Sequence, residues 1–204
     1  MLIKTLPVGQ LETNCYVVTD EDSLDCAVID PGDESGTILD YLEDNKLHCR
    51  AVLLTHAHFD HVGAANALLE ATGARLYMCE KELELVKCGA SGRFTVPEDV
   101  KYYRDGDTVE VGGLRFEVME TPGHTPGGVT LRCGEALFTG DTLFRGSCGR
   151  TDFAGGDMRQ ELRSLKRIAE LPGDYEVYPG HAESSMLSIE REHNPYVRHA
   201  LEKM

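Results

Sequence analysis

Four potential metal ligands lie within six residues of the chain, namely His56, His58, Asp60 and His61. They directly follow an apolar run over residues 51–54 that is typical of a buried strand. Imidazole and carboxylate groups are side chains that bind zinc and related divalent cations. The spacing therefore predicts a metal-binding turn at the end of this strand, and with it metal-assisted chemistry.

Three further candidate ligands lie later in the chain, and each follows a segment that has the composition of a strand. They are His124, Asp141 and His181. Glycine and proline surround each of them and permit sharp backbone turns. We expect the side chains of all seven residues to converge on one rim of the predicted sheets.

Seven ligands exceed what one tetrahedral ion requires, whereas two ions about 3.5 to 4 Å apart with a bridging carboxylate would use all of them. Asp141 is the natural bridge. Five imidazoles and two carboxylates, with no thiolate, suit zinc, iron or manganese better than calcium or copper(I). We therefore predict two divalent metal ions as cofactors, with Zn2+ preferred and iron or manganese as alternatives.

The elements that must position these ligands are short strands that alternate with helices in both halves of the chain. This pattern predicts an α/β protein in which two sheets are covered by helices on their outer faces, in a single domain over residues 1–204. The weakly patterned residues 89–107 are expected to form a loop, either a functional lid or a plain surface loop. Strands are predicted over residues 2–6, 15–19, 26–29, 48–54, 75–79, 108–111, 114–120, 129–132, 136–139 and 176–178. A first helix is predicted to follow Ser35, which would be its N-cap. Further helices are predicted over residues 62–71, 80–87 and 158–170, and in the tail through residue 201.

Composition narrows the partners and the compartment. A net charge of -15 argues against binding to nucleic acid, because that affinity comes from lysine and arginine, so we expect a small-molecule substrate. No apolar run approaches a membrane span, and the N-terminus lacks the apolar run of a signal peptide. The seven cysteines are scattered without a C-x-x-C pair, which is typical of a reducing compartment. A cytoplasmic protein is expected, and the composition says nothing of its oligomeric state.

The chain contains four motifs around these ligands: His-x-His-x-Asp-His at residues 56–61, Gly-His-Thr-x-Gly at residues 123–127, Gly-Asp-Thr-Leu-Phe at residues 140–144 and Gly-His at residues 180–181. Together they resemble the motifs of the metallo-β-lactamase-fold hydrolase superfamily. The resemblance implies an αββα four-layer sandwich with a dinuclear metal site at the edge of the two sheets. It also implies how the ligands are divided: His56, His58 and His124 on one ion, Asp60, His61 and His181 on the other, and Asp141 between them.

Within that superfamily, residues 144–153 resemble a segment shared by glyoxalase II-type thioesterases and persulfide dioxygenases. The residues after His181 and the tail with Asn194 and Pro195 resemble those of the short glyoxalase II-like hydrolases, that is, proteins like hydroxyacylglutathione hydrolase. This implies a metal-dependent thioesterase acting on thioesters like S-lactoylglutathione through a metal-bridging hydroxide. Asp60 and Asp141 are the predicted catalytic residues, Asp60 as the acceptor of the water proton and Asp141 as the bridge.

Two alternatives remain at this point. Persulfide dioxygenases resemble the same pattern but hold a single iron through positions that match His56, His124 and Asp141. A lactonase or another small-ester hydrolase is the second alternative.

Other residues that could do chemistry are given structural interpretations. Cys148 is expected to be a packed or pocket-lining thiol, because no base lies near it in sequence. Arg150 and Asp152 are expected to form an ion pair that holds the loop beside the metals. The remaining histidines, His48, His193 and His199, are expected to have no metal-binding role.

Overall fold

The structure is a computed structural model that describes residues 1–203. In these residues the first half of the chain alternates strands and helices, and the second half is mainly a meander of strands followed by helices. The strands are β1 (Leu2–Val8), β2 (Thr13–Thr19), β3 (Asp25–Ile29), β4 (His48–Leu53), β5 (Arg75–Cys79), β6 (Lys101–Tyr103), β7 (Thr108–Val111), β8 (Leu114–Glu120), β9 (Val129–Cys133), β10 (Ala136–Gly140), β11 (Leu143–Phe144), β12 (Ser147–Cys148), β13 (Glu176–Pro179) and β14 (Ser185–Met186). The helices are α1 (Ser35–Asp44), α2 (Phe59–Val62), α3 (Ala65–Thr72), α4 (Leu83–Cys88), α5 (Met158–Ala169), α6 (Leu187–His193) and α7 (Pro195–Lys203).

Two six-stranded sheets form the centre of the molecule. The first sheet has the strand order β1-β2-β3-β4-β5-β6, with β3 to β6 parallel to one another. The second has the order β14-β13-β10-β9-β8-β7, in which β10 and β13 are parallel and the other pairs are antiparallel. A short hairpin of β11 and β12 follows β10.

Alternating side chains of the strands build three apolar layers, because successive residues of a strand point to opposite faces. Along β2, Tyr16 and Val18 face the second sheet and pack in one core with Phe116 and Phe138. Residues on the other face of the first sheet pack against α1 and α3, and the outer face of the second sheet packs against α5 and α7. The fold is therefore the αββα four-layer sandwich that the sequence predicts.

The predicted N-cap at Ser35 is wrong. Helix α1 begins at Ser35 itself, and the preceding Glu34 has a left-handed backbone with φ of 51° and no side-chain cap. The Glu34 carboxylate instead accepts a hydrogen bond from the backbone N–H of Gly9, at 3.1 Å. This contact ties the start of α1 to the loop between β1 and β2.

The helix predicted over residues 62–71 is present as α3, but it begins three residues later, at Ala65, because Val62 belongs to the separate short helix α2. The N–H of Ala64 donates to the carbonyl of Pro31 at 2.9 Å rather than to its own helix. Gly32 lies so close to α2 that a Cβ there would overlap the carbonyl oxygen of Asp60. Packing against the turn after β3 thus interrupts the helix.

The prediction of a loop over residues 89–107 is only partly correct. Strand β6 lies within this segment and pairs with β5. Phe94 and Tyr103 are buried in the core. In the predicted helical tail, Asn194 separates α6 from α7, which begins at Pro195. In residues 1–203, no helix is both long enough and apolar enough to cross a membrane.

Candidate metal centre

The seven predicted ligands come together at one edge of the sandwich, where strands from both sheets end. His56 and His58 follow β4, and Asp60 and His61 lie on the short helix α2. The other three residues follow strands of the second sheet, with His124 after β8, Asp141 after β10 and His181 after β13. The backbone N–H of Val129 donates to the carbonyl of Thr55 at 2.9 Å and joins the two sheets at this edge.

Six of the predicted ligands form two groups of three, and a third group joins His56 and His61 to Asp30. The ligand atoms of each group lie within 4.8 Å of one another. In the first group, Nδ1 of His58 is 2.9 Å from Nε2 of His124. The first group consists of His56, His58 and His124, and the second of Asp60, His61 and His181.

Asp141 lies between the two groups. Its Oδ1 atom is 3.4 Å from Nε2 of His61, and its Oδ2 atom is 3.5 Å from Nε2 of His124 and 3.6 Å from Nε2 of His181. One carboxylate thus faces imidazoles of both groups. This is the geometry that a bridging ligand requires.

Several buried polar atoms at the centre have no hydrogen-bond partner in the protein. They are Nε2 of His56, Nε2 of His61 and Oδ1 of Asp141. Buried polar atoms without partners are rare because each one costs about 1 to 3 kcal/mol. Three of them converging in one cluster, with donor types that suit zinc, iron and manganese, fit a centre for divalent metal ions.

Hydrogen bonds from the far side of the rings fix which imidazole nitrogen faces the centre. Nδ1 of His124 is 2.6 Å from the carbonyl of Arg150, and Nδ1 of His181 is 3.2 Å from the carbonyl of Leu11. A carbonyl can only accept, so both Nδ1 atoms carry the hydrogen. The lone pair of each ring is therefore on Nε2, which points to the centre.

Four of the predicted ligands, namely His56, His58, Asp60 and Asp141, have protonation states that suit metal binding. Burial lowers the pKa of His56 well below its usual range and that of His58 to about 4, so both rings are neutral. Burial works against ionisation of Asp60 and Asp141, yet the neighbouring imidazoles hold the pKa of both carboxyls below the usual range. His61 differs: burial works against its charge, but Asp141 raises its pKa, so a metal ion would displace a proton from this ring.

Comparison with known proteins identifies the family. Residues 8–181 match the model of the metallo-beta-lactamase superfamily. The chain belongs to this superfamily. It is 32% identical to the hydroxyacylglutathione hydrolase GloC of Haemophilus influenzae, over 97% of this chain and 98% of that protein.

Three solved structures are similar to this protein over nearly the whole chain. The BLEG-1 B3 metallo-beta-lactamase has a TM-score of 0.87 and 33% identity, covering 96% of this chain and 99% of that one. TTHA1623 in a di-iron-bound form has a TM-score of 0.83 and 36% identity, with coverage of 95% and 99%. ETHE1 from Myxococcus xanthus has a TM-score of 0.83 and 30% identity, with coverage of 99% and 91%.

Asp30, at the end of β3, is a site residue that the sequence analysis missed. It is buried and has a left-handed backbone with φ of 49°. Its carboxylate accepts from the N–H and hydroxyl of Thr55, at 2.7 and 2.5 Å, and lies 3.0 Å from Nδ1 of His61. The available signal is an acidic residue that directly follows an apolar strand.

Two buried glutamates hold the backbone around the ligands, and the sequence analysis missed them too. Glu82 accepts from the N–H groups of Ala57 and Gly127, both at 2.7 Å. Glu161 accepts from the N–H of His124 at 2.9 Å. Glu161 shares the buried face of α5 with Leu165 and other apolar residues, so helical spacing could have indicated it. Nothing in the sequence around Glu82 indicates burial.

The strand β2 holds the turn that carries His181. The backbone N–H of Asn14 donates to the carbonyl of Gly180 at 2.8 Å, and the Asn14 side chain donates to the carbonyl of Ala182 at 2.8 Å. The hydroxyl of Tyr16 donates to the carbonyl of Pro179 at 2.6 Å. The first sheet therefore positions a ligand that belongs to the second.

The ion pair predicted for Arg150 and Asp152 is present, with two N–O distances of 2.7 Å. The Arg150 guanidinium also lies over the ring of Phe153, 4.0 Å from its centroid. Cys148 is half-buried, and burial together with Glu161 raises the pKa of its thiol to about 12, which argues against a nucleophile.

The remaining histidines, His48, His193 and His199, are exposed and lie outside the ligand groups.

Proposed function

We propose that this protein is a metal-dependent thioester hydrolase of the glyoxalase II type, acting on small thioesters like S-lactoylglutathione. The observation that carries the proposal is the cluster of seven ligands with unpartnered buried atoms at its centre. The similarity to the hydroxyacylglutathione hydrolase GloC, which extends over almost both whole chains, supports the thioesterase class.

The proposed cofactors are two divalent cations, with zinc preferred and iron or manganese as alternatives. The di-iron form of the similar protein TTHA1623 supports two ions and makes iron a serious alternative. The proposed ligands are the two groups of three at the edge of the sandwich, with Asp141 shared between them: His56, His58 and His124 for one ion, and Asp60, His61 and His181 for the other.

When bound, two such ions would supply a water-derived nucleophile at neutral pH and stabilise negative charge on the substrate carbonyl oxygen. Asp60 is the proposed acceptor of the water proton. Its Oδ2 atom is 3.2 Å from the hydroxyl of Thr13 and 3.2 Å from Nε2 of His181, and these contacts orient the carboxylate. The leaving thiol has a pKa near 8.5, so it departs without a strong general acid.

The experiment that tests this function combines metal analysis with a substrate panel. Protein purified without added metal is analysed for zinc, iron and manganese, and then assayed with S-lactoylglutathione, a lactone, a β-lactam and a glutathione persulfide. About two metal ions per chain with hydrolysis of the thioester is the expected result. Hydrolysis confined to the lactone or the β-lactam would contradict the thioesterase and favour another hydrolase of this superfamily.

A mononuclear-iron persulfide dioxygenase is the second candidate function. The observation that favours it is that His56 and His124 share one ligand group and that Oδ2 of Asp141 lies 3.5 Å from Nε2 of His124. His56, His124 and Asp141 would then form a facial triad of two histidines and one carboxylate around one iron. One iron per chain, with persulfide-dependent oxygen uptake and no thioester hydrolysis, would decide for this candidate.

A cytoplasmic location and a single domain complete the proposal. All seven cysteines are free thiols, which fits a reducing compartment. The core between the two sheets takes residues from both halves of the chain, which supports one folding unit.

A further inference from the structure

A cleft of about 490 Å³ opens beside Asp60, one of the proposed metal ligands. Its walls include Gln10 and Leu11 from the loop between β1 and β2, Phe59 at the start of α2, and Arg93 from the turn after α4. A volume of this size holds a small molecule. The cleft is thus the space next to the metal centre in which an arm of a substrate can lie.

The apolar part of the cleft is exposed. Leu11 and Phe59 expose 54% and 56% of their surface, although both are large hydrophobic residues. Exposed apolar side chains that line one cleft are typical of a ligand-binding surface. These two side chains suit the aliphatic portion of a substrate, but they carry no charge that could bind an ionised group of the substrate.

Arg93 supplies that charge. It is exposed and forms no ion pair or hydrogen bond with any other residue in the range 1–203. Two arginines from the segment that follows the proposed ligand Asp141 differ in this respect, because Arg145 pairs with Glu183 and Arg150 pairs with Asp152. Arg93 therefore has its full guanidinium available to an anionic ligand.

The turn that carries Arg93 is attached to the metal-binding segment. The hydroxyl of Ser91 donates to the carbonyl of Ala57, and the N–H of Phe59 donates to the carbonyl of Ala90 at 3.0 Å. The Ser91 side chain is buried. The position of the Arg93 backbone relative to the ligands is thereby fixed, as a specificity-determining residue requires.

We propose that Arg93 binds a carboxylate on the arm of the substrate while the reacting carbonyl lies at the metal centre. The preferred substrates are then thioesters whose thiol portion carries a carboxylate. This assignment rests on the proposed hydrolase function. Asp33 also lines the cleft, and its negative charge favours a single carboxylate over a phosphate, which carries about two charges.

The test compares two non-hydrolysable thioethers that differ only in charge: S-(2-hydroxypropyl)-N-acetylcysteine and its carboxamide. Their affinities for the metal-loaded full-length protein are measured by titration calorimetry. We expect the carboxylate to bind at least about tenfold more tightly than the amide. R93Q should reduce this ratio to near one, and R93K should keep part of it because lysine retains the charge without the planar fork.

R75Q is the matched control, because Arg75 is an exposed arginine at the start of β5, the end of that strand remote from the metal centre. It should keep the wild-type ratio. A ratio near one in the wild type, or a ratio that survives in R93Q, would overturn the assignment. A phosphate-bearing thioether that binds more tightly than the carboxylate would overturn it as well.

Hydrolysis of the neutral S-lactoyl-N-acetylcysteamine tests the proposed function separately from the role of Arg93. If the wild type hydrolyses no thioester but the calorimetric ratio depends on Arg93, the proposed function fails and the carboxylate site stands. If thioesters are hydrolysed and the ratio is near one, the carboxylate site fails and the hydrolase stands.

Discussion

Asp30 and His61 form a buried contact, with Oδ2 of the carboxylate 3.0 Å from Nδ1 of the imidazole. The carboxylate can only accept, so it holds the hydrogen of the ring on Nδ1 and leaves the lone pair of Nε2 for a metal ion. A residue with no proposed metal contact of its own thus determines how a ligand is presented.

Replacing Asp30 by asparagine should weaken metal binding at the His61 group by about 10- to 100-fold. The amide can turn its NH₂ toward Nδ1 and favour the tautomer that carries the hydrogen on Nε2. Metal affinity is measured by competition with a chelator. D25N is the control, because Asp25 lies at the other end of β3 and pairs with the exposed Arg50. An unchanged affinity in D30N would mean that the tautomer is fixed in another way.

Replacing Asp141 by alanine should remove at least one metal ion per chain and lower kcat for the thioester by about 100-fold or more. The physical reason is that Asp141 is the carboxylate that faces both ligand groups. Elemental analysis and steady-state kinetics check the two effects. D99A, in an exposed position, should behave like the wild type. Full metal content together with the full rate in D141A would refute the bridging role.

Replacing Gly32 by alanine should destabilise the protein by about 2 kcal/mol, which lowers Tm by about 4 to 8 °C. The added Cβ would overlap the carbonyl oxygen of Asp60 and push α2 away from the turn after β3. Thermal unfolding of the metal-free protein measures the loss. G36A is the control, because no atom beyond the neighbouring backbone of its own helix lies within 4 Å of a Cβ at this position. That variant should be more stable by about 0.5 kcal/mol.

Glu82 should make the stability of the metal-free protein depend on pH. Burial raises the pKa of Glu82 above its usual value of 4.5, so the folded state binds a proton more readily than the unfolded state. This contribution is fully present below pH 4.5 and is lost as the pH rises through the folded-state pKa. The free energy of unfolding of the wild type should therefore fall relative to that of E82Q as the pH increases.

Urea unfolding at several pH values, with a chelator present, measures that difference. E84Q is the matched control, since Glu84 is an exposed glutamate two positions along the chain. Its difference from the wild type should stay constant with pH. If the wild type and E82Q show parallel pH profiles, Glu82 has an ordinary pKa in the folded protein.

The sequence was sufficient to predict the αββα sandwich and to select the seven residues that meet at its edge. Strand ends marked by glycine, proline and a metal-binding residue can be identified from local sequence alone. Asp30 and Glu82 could not be identified in this way, because their roles arise from backbone groups distant in the sequence. The break between α2 and α3 was missed for a similar reason, since it depends on contact with Pro31 and Gly32 rather than on helix propensity.

The hydrogen bonds from β2 to the turn at His181 join positions 163 to 168 residues apart, and they have a consequence for biosynthesis. At about 5 to 20 residues per second, residue 181 is added about 6 to 24 s after residue 61. Throughout that interval, the nascent chain presents His56 to His61 as an incomplete set of ligands. The dinuclear complement proposed for the finished protein is therefore acquired only after the ribosome has passed His181.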